Sequence, residues 1–398
     1  MYRGNKVIIR KEREKYIVYL KKSNQFFVAN GISSEIIKMI DMNKSTDEII
    51  CSISENYETS QEYARACITN IASEIRRDSV GDFSGIVFSA PIRVGWRVTP
   101  RCNLRCLHCY LDYANKSDYT ELSTEQCKLI IDKLAASGIM EVLVTGGELF
   151  TRRDIEEILR YITSKKINLT LFTNATLITE KMEWLKEIQL RKINISLDGD
   201  ETAHDRLRGK GSFAKTLNSI KLLKKWGISI AINCVISTFN VDKIDIIEAF
   251  FDENGIEHQY TMITPVGSAK DNGYLVPTDE QYREATKKIY EMMKDGRKNT
   301  SYYDTNKEKF LVSHKGHEKQ LNVGWMCNAG HTKVDIDFNG DVYLCPFDES
   351  TKIGNILTDD LVKMWSHRLE YDFMKNKKNN VLHICEPIGN YMEEFQNV

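Results

Sequence analysis

Between Arg93 and Thr264 the sequence alternates six times between a short apolar run and an amphipathic stretch. The runs are Arg93–Val98, Glu141–Thr145, Ile167–Phe172, Lys192–Leu197, Ile228–Ile236 and Glu257–Thr264. Helical periodicity fills Ser123–Ser137, Arg153–Ser164, Thr179–Ile188, Ser212–Trp226 and Val241–Asn254. Strands separated by helices pair in parallel, and a parallel sheet must be covered by those helices. An eight-unit barrel takes about 250 residues, so six units in about 170 predict an α/β chain with a partial (βα)₆ barrel. Ligands on such sheets sit outside the carboxyl ends of the strands, which directs attention to the loops that follow them.

Residues 5–30 read as three short strands, Lys6–Arg10, Lys15–Leu20 and Gln25–Ala29. Three helices follow. Ser33–Asp41 carries Ile36, Ile37 and Ile40 at helical spacing. Thr46–Glu55 opens on Thr46 as N-cap, and Ser60–Asp78 places Tyr63, Cys67, Ile68 and Ile71 on one face. Residues 1–80 are thus expected to form a β₃α₃ domain and residues 81–91, with Gly, Ser and Pro, a linker. The barrel is expected over 92–277. Residues 278–398 open with a helix, Asp279–Asp295, and end in a small cysteine-bearing domain. There Lys333–Asp337 and Asp341–Cys345 flank the hairpin signal Asn339-Gly340.

Lys and Arg number 55 against 56 Asp and Glu, which lacks the basic excess of a general nucleic-acid binder. A hydrophobic content of 42% excludes a mostly disordered chain. No apolar run reaches the roughly 18 residues of a membrane span, and the N-terminus lacks the apolar segment of a secretory signal. A cytoplasmic location is expected, with no nucleic-acid and no membrane partner. Thiols stay reduced there, so the ten cysteines are expected as metal ligands, catalytic groups or packed side chains. Cys51, Cys67, Cys127 and Cys234 lie among apolar residues and are expected in cores. Cys234 could donate a hydrogen atom to a substrate radical only if it faced the barrel interior.

Cys102-x-x-x-Cys106-x-x-Cys109 follows the first barrel strand. Three thiolates within eight residues can wrap one face of an iron–sulfur cube and leave one iron open to N and O donors. A zinc site with His108 as fourth ligand is the alternative.

With His108 before the last cysteine, this motif resembles that of the radical S-adenosylmethionine (radical SAM) superfamily, over about residues 92–270. The resemblance implies that Cys102, Cys106 and Cys109 hold a 4Fe–4S cluster. The open iron would chelate the amino and carboxylate groups of S-adenosyl-L-methionine, and cleavage would release a 5′-deoxyadenosyl radical. It also implies an electron donor such as flavodoxin or ferredoxin. Gly146-Gly147-Glu148 ends the second strand and resembles the family's amino-group site, with Leu149 where Pro is usual. Further cofactor contacts implied are His108, Asn174, Ser196, Asp198 and Arg208, the last within Arg206-Leu207-Arg208-Gly209; Ala175 stands where Gly is usual. Cys327, Cys345 and Cys385 resemble the SPASM domain or its shortened twitch form. They imply one auxiliary iron–sulfur cluster with a ligand position left for His383, His331, an Asp or a substrate thiolate. The first domain resembles the winged-helix-like RiPP recognition element and implies a ribosomal precursor peptide, its leader captured by strand addition, with Lys21, Lys22 and Arg65 meeting acidic side chains. The expected reaction is a thioether crosslink from Cys sulfur to carbon. Alternatives are a carbon–carbon or carbon–oxygen crosslink, epimerisation, residue removal, a tetrapyrrole modification, or a non-catalytic iron–sulfur redox sensor.

Overall fold

The computed structural model describes residues 1–23, 25–76, 88–111, 120–294, 300–304, 309–314, 317–322 and 329–376. The chain opens with four strands, β1 (Tyr2–Arg3), β2 (Val7–Glu12), β3 (Lys15–Leu20) and β4 (Gln25–Ala29), paired antiparallel in that order. The expected three-stranded sheet therefore has a short additional strand at one edge. Helices α1 (Gly31–Asp41), α2 (Thr46–Asn56) and α3 (Gln61–Arg76) cover it. The N-cap of α2 is Ser45 rather than Thr46. Its hydroxyl accepts from Glu48 N (3.2 Å) and the Glu48 carboxylate accepts from Ser45 N (2.8 Å), a reciprocal pair that satisfies two helix-end donors.

Alternation along these strands separates two faces. Val7, Ile9 and Val18 pack on Ile36, Ile37, Ile49, Ile50 and Ile53 of the helices. Ile8, Ile17 and Tyr19 face the other way and merge with the barrel core around Phe88 and Ile139. Arg10 donates to Pro91 O (2.8 Å), Ala90 O (2.8 Å) and Gly138 O (3.1 Å), and Arg3 to Ile139 O (2.7 Å). Asn168 donates to the Tyr19 hydroxyl. The amino-terminal sheet is thus fastened where barrel strands begin. Lys21 is buried in this neighbourhood, its ammonium pushed down to about 8 by burial and by Arg3, so it does not face a peptide groove. Cys51 is exposed and donates to Glu55 (3.2 Å), because Ile49, Ile50 and Ile53 take the buried face of α2. Cys67 is half-buried, and Cys127 is buried as expected.

The barrel follows as β5 (Arg93–Arg97), α4 (Thr124–Ala136), β6 (Glu141–Thr145), α5 (Ile155–Ser164), β7 (Asn168–Thr173), β8 (Lys192–Ser196), α6 (Glu201–Arg208), α7 (Ser212–Lys225), β9 (Ile230–Ile236), α8 (Ile244–Glu253) and β10 (Glu257–Met262). β5 to β10 are parallel nearest neighbours in sequence order. Two helical expectations are corrected. Residues 180–187 form 3₁₀ turns broken at Met182, and residues 241–243 form a 3₁₀ turn before α8. Helix α6, only eight residues long and mostly polar, was not anticipated.

After α9 (Ser268–Asp271) and α10 (Asp279–Lys294) come β11 (Thr300–Asp304), β12 (Lys309–His314) and β13 (His317–Asn322), which extend the sheet beyond β10. β14 (Lys333–Ile336), β15 (Asp341–Tyr343) and β16 (Lys352–Asn355) extend it beyond β5, giving twelve strands; α11 (Leu361–Ser366) and α12 (Asp372–Asn376) follow. The predicted hairpin is present, turning at Gly340 with φ +88°. Its first strand pairs in parallel with β5. Among the described residues no helix is long and apolar enough to cross a membrane.

Candidate active site

The segment 99–110 leaves the carboxyl end of β5 and is held by backbone on several sides. Gly147 N donates to Thr99 O (2.8 Å), Glu148 N to Arg101 O (2.7 Å), Leu107 N to Leu207 O (2.9 Å), and Asn272 Nδ2 to Leu107 O (3.1 Å). The two glycines after β6 serve this packing. A Cβ on Gly146, whose φ is +144°, would lie 2.5 Å from Thr99 O, and one on Gly147 would lie 2.2 Å from Arg101 O. They let backbone approach the cysteine loop itself, a different reason from the approach to ligand that the sequence suggested.

The three cysteines are half-buried on this loop, and the Cys106 and Cys102 thiols act electrostatically on one another and on Cys109. Leu104 N lies 3.4 Å from Cys102 Sγ, Asn174 Nδ2 3.9 Å from Cys102 Sγ, and Arg208 Nη1 4.0 Å from Cys106 Sγ. Such N–H groups stabilise thiolate ligands. Burial pushes the Cys106 thiol up to about 12 and raises Cys102, so metal loading must release their protons. A three-thiol loop ringed by N–H and guanidinium donors fits a thiolate-ligated, net-negative cluster. His108 has its Nε2 engaged by Arg208 Nη2 at 3.1 Å, so that nitrogen is not a zinc ligand in this structure. Burial pushes the His108 imidazole down to about 4, so it is neutral.

Arg208, at the carboxyl end of α6, is buried and donates through Nε to Asp198 Oδ2 (2.5 Å) and through Nη2 to Oδ1 (3.3 Å). Burial alone would raise the Asp198 carboxyl, but the Arg208 guanidinium outweighs it and holds it near 2. Asp198 Oδ1 also accepts from Val235 N (3.0 Å). In this structure the guanidinium expected to meet a ligand carboxylate is engaged by Asp198. Ser196 stands half-buried at the end of β8.

Glu148 is fully enclosed. Its carboxylate accepts from Thr173 Oγ1 (2.7 Å), Asn174 N (2.8 Å) and Phe150 N (3.2 Å). Burial outweighs these donors and raises the carboxyl to about 7. Thr173 was not anticipated; its hydroxyl is aimed by strand register, which a local motif does not carry. Asn174 Nδ2 also donates to Asn103 (3.0 Å), and Ala175 adopts φ +61°, the left-handed conformation that favours glycine.

Cys234 shares its strand face with Ile232 and Ile236, all fully buried in the core beneath the helices. It therefore faces away from the barrel interior and is no hydrogen-atom donor there. Cys345 is buried behind β15. Two residues on, Phe347 meets Tyr110 edge-on at 5.3 Å, and Tyr110 directly follows Cys109. The carboxyl-terminal hairpin thus touches the cysteine loop. Cys327 and Cys385 lie outside the described residues.

A parallel sheet with a three-cysteine loop at its carboxyl ends defines a radical SAM enzyme, and comparison with known proteins agrees. The Radical SAM superfamily profile matches residues 96–250, and an iron-sulfur cluster-binding domain of the SPASM type matches 327–387. Mycofactocin maturase MftC of Mycolicibacterium smegmatis is 35% identical over 287 residues, 70% of this chain and 71% of that protein. The antilisterial bacteriocin subtilosin biosynthesis protein AlbA of Bacillus subtilis is 26% identical over 366 residues, 87% of this chain and 78% of that protein. Streptococcus suis SuiB bound to S-adenosylmethionine shares the fold, with TM-score 0.64, 18% identity and coverage of 100% of this chain and 97% of that one. The chain belongs to the radical SAM superfamily, in its SPASM-bearing group of peptide maturases. Its cofactors are those of that family, S-adenosylmethionine with a 4Fe–4S cluster and auxiliary iron–sulfur binding.

Proposed function

We propose that the chain forms a thioether between a cysteine sulfur and a carbon of a ribosomal precursor peptide. The observation that carries this reading is the contact of two cysteine-bearing segments, Cys109-Tyr110 against Cys345-Pro346-Phe347. A three-cysteine auxiliary set, Cys327, Cys345 and Cys385, would leave a ligand position for a substrate thiolate. Cys102, Cys106 and Cys109 would hold the first cluster; with S-adenosylmethionine bound, it supplies a 5′-deoxyadenosyl radical. Glu148 would accept a hydrogen bond from the cofactor's amino group. Arg208 would meet the cofactor carboxylate, and Asn174, Ser196 and His108 would complete the cofactor's surroundings. A flavodoxin or ferredoxin supplies the electron.

The leader docks on the first domain. Among the described residues β4 pairs only with β3, so its outer edge is open to an added strand. Half-buried Phe27, Cys67 and Ile68 flank that sheet, and exposed Arg65 and Lys22 are placed to meet acidic side chains. SuiB, which shares the fold, is known bound to a precursor peptide, SuiA.

The test incubates anaerobically reconstituted enzyme, dithionite and S-adenosylmethionine with the peptide of a neighbouring small reading frame. Loss of two hydrogens together with loss of one alkylatable thiol is expected. Loss of two hydrogens with every thiol retained refutes the thioether in favour of another crosslink. No 5′-deoxyadenosine under any condition favours a redox sensor.

A further inference from the structure

β14 runs parallel to β5 with Asp335 opposite Gly95. Alternate residues of the two strands divide between two faces. Val94, Trp96, Val334 and Ile336 are fully buried in the apolar core with α4, and Gly95, Arg97 and Asp335 project from the other side. Asp335 is only 5% exposed. Its Oδ1 lies 3.0 Å from Lys333 Nζ, while Oδ2 has no hydrogen-bond partner among the described residues. A buried carboxylate oxygen left bare costs stability, so the position calls for another explanation. Gly95 makes room for it, since a Cβ there would lie 2.1 Å from Oδ1.

The same surroundings reach the cysteine loop. The half-buried Tyr110, which directly follows Cys109, lies within electrostatic reach of Arg97 and Asp335. Arg97 pairs with Asp337 (3.2 Å) and donates to Pro346 O (3.2 Å). With Lys333 already neutralising the Asp335 charge, a cationic ligand group would meet its ammonium. A neutral donor fits the bare oxygen.

We propose that Asp335 positions the core peptide by accepting, at Oδ2, a hydrogen bond from a neutral side-chain donor, a hydroxyl or a thiol. This rests on the peptide-maturase reading. One hydrogen bond to a charged group sets a preference of at least about tenfold for a ligand that supplies it.

The test titrates N-acetyl-serinamide, N-acetyl-cysteinamide and N-acetyl-alaninamide into anaerobic, reconstituted, S-adenosylmethionine-bound full-length protein by saturation-transfer NMR. The wild type is expected to prefer the serine or the cysteine amide over the alanine amide at least tenfold, and which one identifies the donor. Asp335→Asn, nearly isosteric, should abolish the preference. Gly95→Ala, which keeps the acid but displaces it, should abolish it too. A preference that survives in Asp335→Asn, its absence in the wild type, or an Asp335→Asn protein that fails to load iron overturns the proposal. The readout is binding, so precursor turnover that succeeds while this fails leaves the maturase reading intact.

Discussion

Replacing Glu148 with Gln should remove a pH dependence from S-adenosylmethionine binding. Burial outweighs three hydrogen-bond donors and places the Glu148 carboxyl near 7 rather than the usual 4.5. The ionised fraction then falls from about nine-tenths at pH 8 to about one-tenth at pH 6, weakening a ligand that needs the carboxylate about tenfold. The sign for folding is the opposite. A raised acid contributes its stability below 4.5 and loses it as pH rises through 7, so the wild type should lose about 3 kcal/mol relative to Glu148→Gln across that window. Equilibrium binding to reconstituted protein at pH 6, 7 and 8 gives the first quantity, with the variant as control for effects of pH on the cluster. Parallel profiles for wild type and Glu148→Gln would refute the reasoning, because the titrating group would then lie elsewhere.

Gly147→Ala drives a Cβ into Arg101 O and should displace the cysteine loop; iron content after reconstitution is expected to fall severalfold while the far-UV spectrum is kept. Asp198→Asn leaves the buried Arg208 guanidinium without its counter-charge and should cost about 3–5 kcal/mol, read as a lowered denaturation midpoint. Tyr19→Ala should destabilise the barrel together with the first domain by about 3–5 kcal/mol in one transition, since Tyr19 belongs to the shared core; a separate early transition of residues 1–76 would contradict that. Cys234→Ala should retain peptide turnover, because its sulfur lies beneath the helices; loss of product with 5′-deoxyadenosine formation preserved would overturn that placement.

Deleting the first domain is a poor test of leader capture for the same reason. Removal would strip Ile8, Ile17 and Tyr19 from the barrel core and the Arg3 and Arg10 hydrogen bonds from Ala90, Pro91, Gly138 and Ile139. Arg65→Glu, on an exposed position of α3, leaves that interface untouched and reports on the leader alone.

Local chemistry in the sequence determined the six parallel strands, the three-cysteine loop, Gly146-Gly147-Glu148 and the Asn339-Gly340 turn. Each depends on periodicity or spacing within a few residues, which the chain carries by itself. It also led to Cys51 as a core residue and Thr46 as a cap, errors of one helix face and one position. Tertiary structure alone decided what lies between distant segments. It aimed the Thr173 hydroxyl at Glu148, gave Arg208 to Asp198, turned Cys234 away from the barrel interior and buried Lys21. It also set β14 beside β5, nearly 240 residues earlier in the chain, so that Asp335 stands over Gly95. Such pairings follow from strand register and sheet order, and these are set by the burial of whole apolar faces, a property of the assembled sheet that no local run of residues contains.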